Sequence, residues 1–187
     1  MRELTIALPA WVDEVVDWER SYPDDVSRMR LAVALASRNV EERNGGPFGA
    51  VVVEAERGRV VAAGVNLVMA RRNSALHAEV VALMFAEAAI GSYTLGAEGL
   101  PRHELVTSCE PCAMCLGATL WSGVARVVCG ATGGDARRLG FDEGPVFAEC
   151  YTYVEARGLE VAKGVLRDEA VAIFEAYRLS GGPIYNP

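Results

Sequence analysis

Apolar positions along the 187-residue chain change their period several times, and each change marks an element. Behind an acidic cap at Asp24 or Asp25, Met29, Val33, Ala36 and Val40 recur at helical spacing across residues 24 to 43, and Gly45-Gly46-Pro47 ends the run. Two short apolar runs follow, Phe48 to Val53 and Val60 to Val65, joined by the polar turn Glu54 to Gly58; this is a hairpin pattern. A helix opening near Asn73-Ser74 should bury Val80, Val81, Met84 and Phe85. Leu105 to Ser108 reads as a strand, and Pro111 through Trp121 as a helix stopped at Ser122-Gly123. Val124 to Gly130 is a third core strand. The glycine-rich stretch 133 to 144 reads as loop, 146 to 156 as helix and 159 to 166 as strand. Asp168 to Leu179 closes the pattern as a helix with Ala170, Ile173, Phe174 and Tyr177 on one face. Residues 1 to 23, acidic with Trp11 and Trp18, form an N-terminal helix or arm. Strands alternating with helices predict an α/β fold with its sheet covered by helices, and no interior linker divides the chain.

Composition narrows the partners. A net charge of −7 and a pI near 4.9 oppose docking on a phosphate backbone, which needs clustered Lys and Arg. Nucleic acid is therefore not expected as a partner. No apolar run approaches the ~20 residues of a membrane span, because Glu54, Glu56, Arg57 and Arg59 interrupt the most hydrophobic stretch. The N-terminus lacks the basic n-region and apolar core of a signal peptide, so the expected location is the cytoplasm. Five cysteines, two of them in a C-x-x-C, point there to metal or redox chemistry rather than to disulfides.

The metal reading is favoured because an upstream His-x-Glu accompanies the C-x-x-C. Cys112 and Cys115, three apart near a helix start, project both sulfurs from one face, and the helix dipole favours the thiolates that bind metal. With His77 they make a two-thiolate, one-imidazole set suited to one Zn2+, and three protein ligands leave a fourth position for water. Neither Cys109, at a strand end, nor His103, read as loop, is a convincing fourth ligand. Glu79, two residues from His77, can take a proton from zinc-activated water and pass it to a leaving amine. Cys109, Cys129 and Cys150 read as small packing residues.

His77-Ala78-Glu79 with Pro111-Cys112-Ala113-Met114-Cys115 is the H-x-E…P-C-x-x-C pattern of zinc nucleobase deaminases. With Gly45 to Ala50, Gly64 to Asn66, Thr107 to Ala118 and Gly140 to Glu143, the chain resembles the cytidine deaminase superfamily, and within it the bacterial zinc-dependent guanine deaminases. The resemblance spans roughly residues 25 to 145. It implies a three-layer cytidine deaminase-like fold with a mixed sheet of about five strands, in one domain over residues 1 to 187. It also implies hydrolysis of guanine to xanthine and ammonia, ammeline being a second candidate. Deamination of a nucleoside, cytosine or tRNA adenosine is the alternative.

By the same resemblance, Asn66 and the Ala78 backbone N–H hold the base, Phe48 and Trp121 line or stack on its ring, and Glu143 is a second acid that passes a proton to the amine. The C-terminal segment, residues 168 to 187, would close over the site with Tyr185 as a contact. The implied assembly is a homodimer, in which that segment can exchange between subunits.

Overall fold

The computed structural model describes residues 4 to 186. The elements run α1 (Val12–Val15), α2 (Asp25–Glu41), β1 (Gly49–Glu54), β2 (Val60–Val65), α3 (Val68–Arg71), α4 (Ala78–Ile90), β3 (His103–Cys109), α5 (Ala113–Ser122), β4 (Arg126–Ala131), α6 (Gly133–Leu139), α7 (Ala148–Ala156), β5 (Glu160–Ala162) and α8 (Arg167–Leu179). The five strands form one mixed sheet in the order β2-β1-β3-β4-β5. β1 pairs antiparallel with both β2 and β3, whereas β3–β4 and β4–β5 are parallel. The expected α/β fold with a five-stranded mixed sheet is the one observed.

Strand periodicity explains the three layers. In β1, Val51 and Val53 join a cluster with Met29 and Leu35 of α2 and Phe174 of α8, while Ala50 and Val52 join another with Ala82 and Leu83 of α4. Alternate side chains thus bury opposite faces of the sheet. Trp11, Val12 and Val16 pack into the α2–α8 cluster, so the N-terminal arm belongs to the core.

Several boundaries differ from expectation, each for a local reason. Asn73 accepts a hydrogen bond from the Ala75 N–H at 3.0 Å, forming a turn, and α4 opens only at Ala78 with His77 as its N-cap. Met84 is 43% exposed instead of buried. Gly64 permits this packing, since a Cβ there would lie 2.1 Å from the Ala78 carbonyl oxygen. The stretch after Ala131, expected as loop, holds α6. Thr132 caps it through a reciprocal pair of hydrogen bonds with Asp135. His103 is the buried first residue of β3 rather than a loop residue, and β5 is shorter than expected.

A buried ion network gathers at the strand ends where β3 and β4 begin. Arg28 donates to Glu104 (2.7 Å) and to the carbonyls of Tyr22 and Ala55, and Arg126 makes a two-pronged pair with Asp25 at 2.7 Å. The opposite ends of these strands carry the chemistry.

Candidate metal centre and active site

Where β3 and β4 end, β2 leaves the sheet and β1 enters it, loops and helix starts converge on one cavity. Cys112 is the N-cap of α5, with Pro111 one position earlier rather than inside the helix, and His77 is the N-cap of α4. Nδ1 of His77 lies 3.5 Å from Sγ of Cys112 and 3.5 Å from Sγ of Cys115. Tetrahedral zinc with bonds of about 2.0 Å to nitrogen and 2.3 Å to sulfur would space a nitrogen and a sulfur about 3.5 Å apart. The donor set and its spacing therefore fit zinc. Among the described residues these three make the metal-binding cluster, which leaves one tetrahedral position to a non-protein ligand. Cys109 turns toward the Thr132 carbonyl, and His103 sits at the far end of β3 with Nδ1 against the Leu95 carbonyl.

Charge is distributed to suit a cation. The hydrogen bond from Cys115 outweighs burial and, together with His77, holds the Cys112 thiol down to about 4. The hydrogen bond to Cys112, burial and Glu79 push the Cys115 thiol well up. Oε2 of Glu79, 3.5 Å from the Cys115 sulfur, belongs to a buried carboxyl pushed up to about 7 by burial and by the charge of Cys112. Burial, Cys112 and Glu79 raise Glu143 to about 8. Glu143 is held in place by its own backbone, whose carbonyl accepts from the Ala113 N–H at 2.9 Å.

Opposite the metal cluster, Asn66 follows β2. Its Oδ1 accepts from the N–H groups of Gly46 (3.2 Å) and Val68 (3.3 Å), which fixes the amide orientation. Nδ2 is buried and has no hydrogen-bond partner among the described residues, on a residue that lines the cavity. Such an orphan donor calls for a ligand acceptor. Asn39 steadies this arrangement by donating to the Gly46 and Asn66 carbonyls. Phe48 also lines the cavity and meets Phe141 edge-on at 5.2 Å. Tyr185 lies 5.0 Å from Phe141 and also lines the cavity. Its approach requires Gly46, where a Cβ would sit 2.4 Å from the tyrosine oxygen.

Residues 23–131 match the cytidine and deoxycytidylate deaminase zinc-binding region. The chain belongs to that deaminase family. It is a zinc-dependent hydrolytic deaminase, and zinc is its metal. The deaminase is 37% identical to the guanine deaminase of Bacillus subtilis over 80% of this chain and 91% of that one. It is 34% identical to a tRNA-specific adenosine deaminase of Haemophilus influenzae over 78% of each. The solved guanine deaminase from Nitrosomonas europaea superposes with a TM-score of 0.90 at 42% identity, covering 95% of this chain and 97% of that chain. A structure solved with 2,6-diaminopurine superposes at 0.91, with 43% identity and coverage of 97% and 96%.

Not every expected site residue reaches the cavity of the deaminase. His77, Glu79, Cys112, Glu143, Asn66, Phe48 and Tyr185 line it, with Cys115 buried beside them. Ala78 opens α4, so its N–H lacks an intrahelical partner, but its methyl packs into the core. Trp121 does not line the ring site: it is 74% exposed, because its position on α5 faces away from the cysteines. Two lining residues went unforeseen, Glu110 and Asn186. Glu110 was visible as the residue preceding Pro111 in the cysteine motif, whereas nothing local singles out Asn186.

Proposed function

We propose that this deaminase converts guanine to xanthine and ammonia, with ammeline a second substrate, in purine catabolism. The observation that carries the reading is one cavity holding both the three-donor metal cluster and the partnerless Nδ2 of Asn66. Resemblance to guanine deaminases over most of the chain supports the choice of base.

The residues divide the work. His77, Cys112 and Cys115 would hold zinc, which would supply the Lewis acidity that makes water a nucleophile near neutral pH. Asn66 donates from Nδ2 to an acceptor on the base, and Phe48 presents its ring to the same cavity. Glu79 takes a proton from water and returns it to a ring nitrogen. Glu143, raised to about 8, keeps a proton near neutral pH and gives it to the departing amine.

Tyr185 and Asn186 leave about 10 Å³ of free space, room for about one water. We therefore read residues 183 to 186 as a lid that opens for the base and shuts out bulk water. A tRNA anticodon is the poorer substrate, given this lid and the net charge of −7.

Two chains pair, in this reading, through the face of α5 and α7. There Trp121, Met114, Phe147 and Tyr153 are exposed around a groove of about 370 Å³ lined by Leu116, Leu120 and Val146. All five cysteines are free, which suits a reducing cytoplasm.

The test is an ammonia-release screen over guanine, ammeline, cytosine, adenine, their nucleosides and a tRNA anticodon stem-loop, alongside metal analysis. Guanine or ammeline should react, with one zinc per chain, and a zinc-loaded Glu79→Gln chain should lose about 10²- to 10⁴-fold in kcat. Normal deamination by that variant refutes the mechanism. Activity confined to nucleosides or cytosine refutes the substrate.

A further inference from the structure

We propose that a second chamber, behind Glu143, is the exit through which ammonia leaves while the tail still covers the base. The proposal rests on the deaminase reading above. The chamber holds about 210 Å³ of free space and is lined by Glu110, Gly133, Arg137, Glu143, Tyr151 and Lys163, among others. Glu110 and Glu143 also line the catalytic cavity, so these two carboxylates form the partition between the two spaces.

Deamination makes two products under one lid. Water's oxygen bonds to the ring carbon, the carbon–nitrogen bond breaks, and the nitrogen departs as ammonia after taking a proton from the Glu143 carboxyl. The covered cavity has room for little more than one water, so both products would wait for the tail to open unless the smaller one had its own path.

The chemistry of the chamber suits ammonia. Tyr151 is more than nine-tenths buried, and its hydroxyl has no hydrogen-bond partner among the described residues. It can donate to the nitrogen lone pair, while the carboxylates accept the N–H groups. Lys163 pairs with Oε1 of Glu110 at 2.9 Å and lies 3.2 Å from the centre of the Tyr151 ring. Arg137 donates to the Gly144 carbonyl at 3.1 Å. Once Glu143 has given up its proton, two cations stand against two carboxylates, and the near-neutral chamber favours a small uncharged molecule over an ion of either sign.

Plugging the chamber from its two sides tests the proposal. At Gly133 a Cβ would stand 3.6 Å from Oε2 of Glu110 and 3.8 Å from Cγ of Glu143, so Gly133→Leu fills the inner end. Ala148, exposed at the start of α7, lines the outer side, so Ala148→Trp fills it without approaching the metal cluster. With guanine, both variants should lose at least fivefold in kcat and in KM together, leaving kcat/KM unchanged. The base product should then form in a burst of one per site before a slow steady state. A native kcat in zinc-loaded Ala148→Trp overturns the exit. A fall in kcat/KM without a burst in both variants also overturns it, because the plug is then acting on Glu143. A native chain that deaminates no heterocycle would bring down the deaminase reading itself, a separate result.

Discussion

Replacing Asn66 by aspartate isolates one hydrogen bond of the catalytic cavity. The two bonds accepted by Oδ1, at 3.2 and 3.3 Å, survive in a carboxylate of the same shape. Nδ2, the buried donor without a protein partner, becomes an acceptor. A base that presents an acceptor there loses a bond worth about 0.5–1.5 kcal/mol and confronts an unpaired oxygen at about 1–3 kcal/mol. The expected loss is about 3 kcal/mol, or about a hundredfold in kcat/KM at 1.4 kcal/mol per decade. Asn66→Ala should behave differently, because it strips the acceptor from the N–H groups of Gly46 and Val68. Each orphaned donor costs about 1–3 kcal/mol of fold stability, so its melting temperature should fall by about 10 °C. Steady-state ammonia release from guanine, zinc content and thermal melting measure all three quantities. A zinc-loaded Asn66→Asp chain that keeps kcat/KM within threefold of native would show that the amide does not face the base.

Other perturbations reach different parts of the molecule. Zinc titration of the metal-free chain at pH 7, followed calorimetrically in buffers of different ionisation enthalpy, should release at least one proton, since the Cys115 thiol is pushed up and must ionise to bind; Cys112, held near 4, contributes none. Asp135 has a side chain only 1% exposed, and the bonds from Arg167 and Thr132 outweigh its burial to hold the carboxyl well below its usual 3.8. A depressed carboxyl stabilises the fold above the unfolded value and loses that contribution as pH falls toward the folded one. Asp135→Asn should therefore cost about 2 kcal/mol at pH 7, and the gap in thermal stability should narrow steadily below pH 3.8. On the pairing proposed above, the native chain should sediment as a dimer and Leu120→Arg, in the groove between α5 and α7, as a monomer; a native monomer or an unchanged variant dimer refutes that interface.

Local chemistry made the metal ligands legible in the sequence. His77, Cys112 and Cys115 are set by helix starts, where spacing and geometry are nearly the same thing. The misreadings came where one residue type serves two purposes. Asn73 looked like a helix cap and instead closes a turn, so α4 begins later. Gly133, Gly134 and Gly140 suggested loop, yet the Thr132 and Asp135 pair is a capping signature that predicts α6. The resemblance put Trp121 at the base, although its spacing of six residues from Cys115 along α5 turns it away from the cysteines and leaves it exposed. Asn66 could be read as a turn residue until Asn39, 27 positions away, showed how it is held. Asn186 had no local signal at all, because its pairing with Asp142 closes a loop of 44 residues.

The charged lattice of Arg28, Glu104, Arg126 and Asp25 ties together the ends of β3 and β4 that lie farthest from the cysteines. Each strand is anchored at one end and left to carry loops at the other. Mutational tolerance should follow the same axis. The lattice end can be recast, for example with apolar residues of matched volume, to change resistance to heat with no effect on turnover. The loop end can be varied to change which heterocycle is accepted while the melting point stays put. A directed-evolution campaign on this chain could then search the two ends separately and combine the winners.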